Sequence, residues 1–100
     1  MKYKVVSNLT TYSYSVYLEL EGHSISMSYD GNNKYQSTDV FEVSDGNMDF
    51  FIRVNGLNGT AWSLEMVITA MADPTYKKEY KKAGAISDRG TDNFSDLIKL

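Results

Sequence analysis

The sequence predicts an all-β protein: a single antiparallel β-sandwich or small barrel of about six to seven strands, followed by a short C-terminal helix. Apolar and polar residues alternate over 12–29, 48–54 and 60–71, and a period of two is the signature of a half-buried strand. Short turn signals rich in Gly, Asn and Asp separate these runs, with no helical pattern between them. Consecutive strands joined in this way favour antiparallel pairing.

The longest alternating stretch, residues 12–29, predicts a central β-hairpin. Gly22-His23 stands between its two arms and suits a two-residue turn with Gly at the first central position, where φ is positive. This turn pairs apolar residues across the hairpin: Leu20 with Ile25, Leu18 with Met27 and Val16 with Tyr29. Because an isolated hairpin is marginal in water, we expect further strands to cover its apolar face.

Two more short strands are predicted at residues 2–6 and 39–43. The lysines of the first suit the edge of a sheet. Residues 7–10 are expected to connect this strand to the hairpin, and the polar interval 30–38 is expected to be a loop.

A second hairpin is predicted from the alternation of residues 48–54 and 60–71. Two Asn-Gly steps lie between these runs, and Asn-Gly is a favoured dipeptide for hairpin turns. Trp62 belongs to the apolar set of the second run, so we expect its side chain in the core.

The pattern changes after Met71, where residues 74–83 predict a short helix. Asp73 is a good N-cap residue, Pro74 suits the first helical position, and Tyr76 and Tyr80 recur at helical spacing. On that helix the four lysines between residues 77 and 82 form a basic stripe.

The last residues of the chain give a weaker pattern. Residues 85–93 predict a loop, while 94–98 fit a helical turn and a closing strand equally well. Residues 85–100 are therefore expected to be peripheral to the sheet body at about 2–72.

Composition indicates one soluble globular domain: the chain has 100 residues, of which 42% are hydrophobic and 23% charged. Residues 1–75 carry four Lys/Arg against nine Asp/Glu, a net charge of −5, and an acidic body argues against binding of duplex nucleic acid.

The absence of cysteine excludes disulfides. No apolar run reaches transmembrane length. We expect a cytoplasmic protein if Met1 is the native start, and a secreted one if a leader has been removed.

Residues suited to catalysis are few, and no catalytic or cofactor motif stands out. The only histidine, His23, is predicted in an exposed turn, away from the activated serine that a catalytic triad requires. We therefore expect no enzyme activity and no cofactor. Asp45, Asn47 and Asp49 match the opening spacing of a calcium loop, but Phe50 stands where that loop requires Gly. A plain turn without metal is the better interpretation, and a calcium site built from two loops stays open.

The loop over residues 29–38 is the predicted ligand-binding segment. Aromatic rings beside amide and carboxylate groups are what neutral polyols stack on and bond to. Its candidate contacts are Tyr29, Asp30, Asn32, Asn33 and Tyr35.

A second candidate surface consists of apolar residues on the outward-facing sets of the strands: Tyr17, Phe51 and Val67. If they come together, they form a patch that a protein partner or a second copy in a homodimer would cover. The sequence thus favours a non-catalytic binding module for protein-protein interaction or self-association, through these faces, a sheet edge or the 29–38 loop. The alternative is a lectin-like carbohydrate-binding module that takes a glycan at the 29–38 loop.

Overall fold

The computed structural model describes residues 1–87 and 89–100, and over them it confirms an all-β protein built from two antiparallel sheets. The strands are β1 (Lys2–Thr11), β2 (Ser15–Leu20), β3 (His23–Ile25), β4 (Ser28–Tyr29), β5 (Lys34–Glu42), β6 (Asn47–Asn55), β7 (Ala61–Ala70), β8 (Lys77–Ala85) and β9 (Thr91–Lys99). The first sheet has the order β4-β5-β1-β7-β8, and the second has the order β3-β2-β6-β9.

The core draws on both sheets, because alternate residues of each long strand are buried. Strand β6 buries every second side chain from Met48 to Val54, and β7 does the same from Trp62 to Ala70, as their alternation predicts. These residues form one cluster with the inward side chains of β1, β2 and β9. Burial of so many apolar groups in one cluster is the main stabilising term of the fold.

The central hairpin forms, but in a different register from the predicted one. Its turn is Glu21-Gly22, with φ of 50° and 76°, so that Leu20 pairs with His23 and Leu18 with Ile25. Positive φ at both central residues defines a type I′ turn. Glu21 is held in this conformation because its backbone N–H donates to Asp49 O at 3.0 Å and its carboxylate accepts from Asp49 N at 2.8 Å.

Only the first residues of the predicted second arm, His23–Ile25, remain in the second sheet. After Ile25 the chain crosses to the first sheet, where the two-residue strand β4 pairs with β5. Strand β5 itself begins at Lys34, inside the predicted loop, so the connection is only the short turn 30–33. All three predicted pairs, Leu20 with Ile25, Leu18 with Met27 and Val16 with Tyr29, are therefore wrong.

Strand β1 is longer and more central than predicted. It continues through residues 7–10, which were expected to be a connection, because it pairs with β5 on one side and β7 on the other. The actual connection to β2 is residues 12–14. It places Tyr12 and Tyr14 outside the sheets, with 77% and 75% of their surfaces exposed.

The Asn-Gly steps after β6 join the two sheets instead of closing a hairpin. Strand β6 pairs with β2 and β9, while β7 pairs with β1 and β8. Gly59 adopts a φ of 89° within this crossing. The turn chemistry is therefore predicted correctly, but the pairing of its flanking strands is not.

The predicted helix over 74–83 is wrong, and no helix occurs among residues 1–87 and 89–100. Asp73 accepts hydrogen bonds from the backbone N and the hydroxyl of Thr75, at 3.1 and 2.6 Å, and so caps a turn. These bonds lower the pKa of the Asp73 carboxyl, the hydroxyl bond most. From Lys77 onward the chain extends along β7 and pairs with it over nine residues, which covers the edge that β7 would otherwise expose.

The last segment closes the second sheet. Strand β9 pairs with β6 from Thr91 to Lys99 and buries Ile98 in the core, which decides between the two alternatives left open for residues 94–98. Of the loop predicted at 85–93, Asp88 lies outside the described residues, and Thr91 to Asn93 already belong to β9.

Replacing Trp62 by Ala should cost about 3–5 kcal/mol of unfolding free energy, because a large buried side chain would leave a cavity. Trp62 is 3% exposed. Urea denaturation measures the loss, and Tyr12→Ala, at a side chain 77% exposed, is the control, with an expected change within about 0.5 kcal/mol. A Trp62→Ala loss of only a few tenths would contradict the packing described above.

Gly84→Ala should destabilise the protein by about 1–3 kcal/mol through overpacking. A methyl group at Gly84 would meet three atoms of the Trp62 indole at 2.8 Å, so the ring must move. Ala83→Ser, on the exposed face of the same strand, is the matched control and should change little. A Gly84→Ala variant as stable as the wild type would show that the indole has room to shift.

Candidate functional site

Four connections meet at one end of the molecule: residues 12–14, residues 30–33, residues 56–60 and the described residues 86–87 and 89–90. Three backbone hydrogen bonds fix them to one another or to neighbouring strands: Thr11 N to Asn33 O at 2.8 Å, Tyr14 N to Asn55 O at 2.8 Å and Gly56 N to Gly90 O at 2.9 Å. We call this end the loop end. Such bonds preorganise the loops, and preorganised loops lose less conformational entropy on binding.

Both chain termini lie at the opposite end. Met1 O accepts from Val43 N, and Leu100 N donates to Gly46 O, at 3.0 and 2.9 Å. Val43 and Gly46 belong to the connection between β5 and β6, which is remote from the loop end. The loop end is therefore free of both termini.

A hollow of about 210 Å³ opens at the loop end, and we call it the tyrosine hollow. It is lined by Tyr12, Ser13, Tyr14, Tyr29, Asn33 and Leu57. The three tyrosines and the leucine are 53–77% exposed. Single exposed apolar residues are normal, but these four, from two loops and strand β4, gather at one hollow, which makes it the candidate interaction surface.

The predicted ligand-binding residues are only partly brought together. Tyr29 and Asn33 line the tyrosine hollow, whereas the Asp30 carboxylate accepts from Asn32 N at 2.8 Å and thereby shapes the turn. Tyr35 lies in β5, half-buried, with its ring centroid 4.7 Å from that of Tyr29. Its visible role is to support the Tyr29 ring from the core side.

The turn that carries Asn33 is held in a strained conformation. Asn33 has a φ of 62°, which an Asn tolerates better than most residues. Its backbone N–H donates to the Tyr29 hydroxyl at 3.3 Å, and its carbonyl accepts from Thr11 N. These two bonds fix both the loop and the Tyr29 ring at the edge of the hollow.

Sequence reasoning missed Tyr12, Tyr14 and Leu57, the other residues of the hollow. Tyr12 and Tyr14 continue the alternation of β2, so the pattern assigned them to a strand. Leu57 is the one large apolar residue within 55–59, a segment otherwise made of Asn and Gly. An isolated Leu in a turn-rich segment is the signal that could have pointed to the site.

The predicted interface residues lie on two different surfaces. Tyr17 and Phe51 share the outer face of the second sheet, with ring centroids 6.2 Å apart, and the Arg53 guanidinium lies 5.4 Å from the Phe51 ring. Val67 faces outward from the first sheet, opposite Val6. The three therefore do not form one patch.

A shallow depression of about 490 Å³ lies beside Phe51, with Glu19, Asp49 and Leu97 among its lining residues. The Tyr17 hydroxyl donates to the Glu19 carboxylate at 2.7 Å. This bond is the first cause that raises the Tyr17 pKa, followed by burial. The carboxylate is thus already engaged within the protein, and the face is more polar than the loop end.

One edge strand of each sheet, β8 in the first and β9 in the second, carries charged side chains on the face toward the core. On β8, Lys78 and Lys82 share the face of Tyr80, and on β9, Asp92 and Asp96 share the face of Ile98. Inward-pointing charges are a device that keeps sheet edges from pairing with another chain. This placement disfavours the β8 and β9 edges as the interaction surface.

These inward groups also join the two edges to each other. Lys82 Nζ lies 4.4 Å from the centroid of the Phe94 ring. The Tyr80 hydroxyl donates to the Asp96 carboxylate at 3.0 Å, and the Trp62 indole N–H donates to Asp92 at 2.7 Å. The seam between β8 and β9 is therefore closed by specific contacts.

His23 and the calcium-like segment, residues 45–49, make contacts that stabilise the fold. The His23 ring stacks on Phe41 with centroids 6.3 Å apart. Asp45 Oδ1 accepts from Asn47 N at 3.1 Å and shapes the turn before β6. Within residues 1–87 and 89–100, no group of three His, Cys, Asp or Glu is placed to hold a metal ion. Nor does that part of the chain contain a helix long and apolar enough to cross a bilayer.

Comparison of this chain with models of known protein families, with curated proteins and with solved structures gives no match. The function proposed below therefore depends on the residues and contacts of this chain alone.

Above pH 10 the protein should lose stability through Tyr80. Burial, together with the bond to Asp96, raises the pKa of Tyr80 from 10.0 to about 12. The folded protein thus holds the Tyr80 proton to higher pH than the unfolded chain does. The stabilisation is complete below pH 10 and is lost as the pH rises through about 12. Melting temperatures between pH 9 and 12 should fall more steeply for the wild type than for Tyr80→Phe.

Tyr14→Phe controls for the general effect of losing one hydroxyl, since Tyr14 is 75% exposed. Its melting curve should follow the wild type across the same range. Parallel curves for wild type and Tyr80→Phe would contradict the role assigned to Tyr80.

Proposed function

We propose that this protein is a non-catalytic binding module that engages a protein partner through the tyrosine hollow. One observation carries the proposal: Tyr12, Tyr14, Tyr29 and Leu57 come from two loops and the short strand β4 and converge on a single exposed hollow. Tyrosine is enriched at the centres of protein interfaces, where it provides contact area at low entropic cost.

The composition of the loop end supports protein recognition. Its loops are rich in Tyr, Ser, Asn and Gly, the residues that dominate the binding loops of antibodies. Tyr and Trp act there as rigid anchors, while Ser, Gly and Asn adapt their hydrogen bonds to the partner. The resemblance to antibody binding loops concerns the residue types alone.

We infer that the two sheets pack face to face as a β-sandwich. Three contacts between the sheets support this arrangement: the Phe50 and Tyr80 rings with centroids 5.2 Å apart, the bond from Trp62 to Asp92 and the bond from Tyr80 to Asp96. A sandwich places its loops at two ends, and rigid sheets that present loops in this way are a common scaffold for binding.

Carbohydrate binding at the same end is the second candidate function. The exposed Tyr12 and Tyr14 rings lie beside the Asn33 side chain in the hollow. Sugar rings stack on such aromatic faces while their hydroxyls bond to amides. A volume of about 210 Å³ would admit only a small part of a glycan, so protein recognition is the first choice.

The absence of catalysis is also part of the proposal. The His23 ring packs on Phe41 and lies at the start of β3, on the side of the hairpin turn. In that position it supports the packing of β3 against β5. A role in packing accounts for this histidine without any reaction.

The test is capture of a protein partner by wild-type protein and by Tyr12→Ser/Tyr14→Ser, followed by titration of the captured partner. We expect one stoichiometric partner and at least about 30-fold weaker binding by the variant, because two anchors of about 2 kcal/mol each are non-additive but large. The variant should melt as the wild type does, since both side chains are mostly exposed.

Tyr17→Ser is the matched control, because it removes an exposed tyrosine from the outer face of the second sheet. It should bind as tightly as the wild type. Equal affinity of the Tyr12→Ser/Tyr14→Ser variant and the wild type would overturn the proposal. Light scattering over a concentration series identifies a second copy as the partner, and a defined hit on a glycan array would favour the carbohydrate function.

A further inference from the structure

Part of the core of the first sheet is polar. Ser7 and Ser37 are 0% and 7% exposed, and Oδ2 of half-buried Asp39 is also buried. Their hydroxyl oxygens and this carboxylate oxygen have no hydrogen-bond partner among the described residues. Buried polar atoms in native proteins are almost always bonded, to protein or to ordered water.

The three groups are neighbours on one face of the sheet. Ser7 of β1 stands directly opposite Ser37 of β5, which places their Cβ atoms about 4.5–5.5 Å apart. Asp39 follows Ser37 by two residues, so it lies on the same face about 6.7 Å further along the strand. All three side chains therefore extend into one region between the sheets.

Aromatic side chains flank this region along β5. Tyr35 precedes it on the same face and contacts Tyr29, at a centroid distance of 4.7 Å. Phe41 follows it and contacts His23, at 6.3 Å. Opposite, β3 is only three residues long, so the second sheet is shortest where the first sheet is polar. A strand of three residues supplies few apolar side chains to cover these polar groups.

We propose that Ser7, Ser37 and Asp39 form an internal hydration site that holds one ordered water molecule. A buried water requires two to four polar partners, and this region offers three. The water donates to Asp39 Oδ2 and to one serine oxygen, and it accepts from the other serine hydroxyl. Each orphaned atom is then satisfied by a single molecule.

The chemistry of the site favours water over a cation. One carboxylate and two neutral hydroxyls fall well short of the six to eight oxygens that calcium takes. A carboxylate only accepts hydrogen bonds, whereas a hydroxyl both donates and accepts, and water matches this mixed set. The site is therefore part of the core and independent of the tyrosine hollow.

Urea denaturation of Ser7→Ala, Ser37→Ala and the double variant tests the proposal. Each single change should raise the unfolding equilibrium constant about tenfold, because the bound water and its other partners lose a bond. The double variant should raise it by less than the product of the two, since both hydroxyls share one water. Ser63→Ala, at an exposed position of β7, is the control and should change it by less than about twofold.

A decrease in the unfolding equilibrium constant, or no change, would overturn the proposal. A serine hydroxyl that is buried without any partner destabilises the fold, so its removal would lower the unfolding constant or leave it unchanged. A high-resolution crystal structure gives the direct answer. We expect a water within hydrogen-bonding distance of at least two of the three atoms in the wild type. Serine hydroxyls bonded to each other, with no water beside them, would refute the site.

Discussion

The Trp62 indole is the interaction on which the loop end depends. Its ring packs in the core against the bare backbone of Gly84, where even a methyl group would come within 2.8 Å. Its N–H donates to Asp92, at the start of β9, at 2.7 Å. One side chain thus links β7, β8 and β9 and joins the two sheets where the strands give way to loops. A cross-link between sheets at this position limits how far the loops can move apart.

Hydrogen bonds of the backbone also restrain the loops next to Trp62. Ile86 N donates to Thr60 O at 2.8 Å, and Gly90 N donates to the Asn58 side chain at 3.0 Å. The connections after β6 and β8 are therefore hydrogen-bonded to each other next to the Trp62 indole. Leu57, within the first of them, is presented to solvent by a backbone that has few ways to relax. A hollow built on such loops would bind without first ordering them, and this lowers the entropic cost of association.

Much of the strand pattern could be predicted from sequence, because alternation reports which face is buried. It succeeds for β6 and β7, where every second residue enters the core. It fails for β8, since Tyr76 and Tyr80 are four residues apart, and a spacing of four returns to the same face in a strand as well as in a helix. An Asp-Pro step before the segment then favoured the helix. Only pairing with β7, a non-local contact, decides between the two.

Only part of the candidate site could be predicted from sequence, again because non-local contacts position some of its residues. Tyr29 and Asn33 stand in a segment that looks like a loop, so composition finds them. Tyr12 and Tyr14 continue the alternating pattern of β2. The bond from Tyr14 N to Asn55 O sets the point at which the chain leaves the sheet. That bond joins residues 41 positions apart, which no local pattern contains.

The distribution of charge explains why recognition would concentrate at the loop end. The long free edges, β8 and β9, direct lysines and aspartates toward the core side, and these charges would be buried if another strand were added. Burial of charged groups is costly unless they are paired, so pairing of another strand with these edges is penalised. The outer face of the second sheet has its tyrosine bonded to Glu19 and its phenylalanine covered by Arg53. The tyrosine hollow carries no such internal partners for Tyr12, Tyr14 and Leu57 among the contacts of the described residues. Because these side chains are exposed and unengaged, a partner that covers them gains apolar contact without breaking an internal hydrogen bond of theirs, and this supports placing the proposed interface at the loop end.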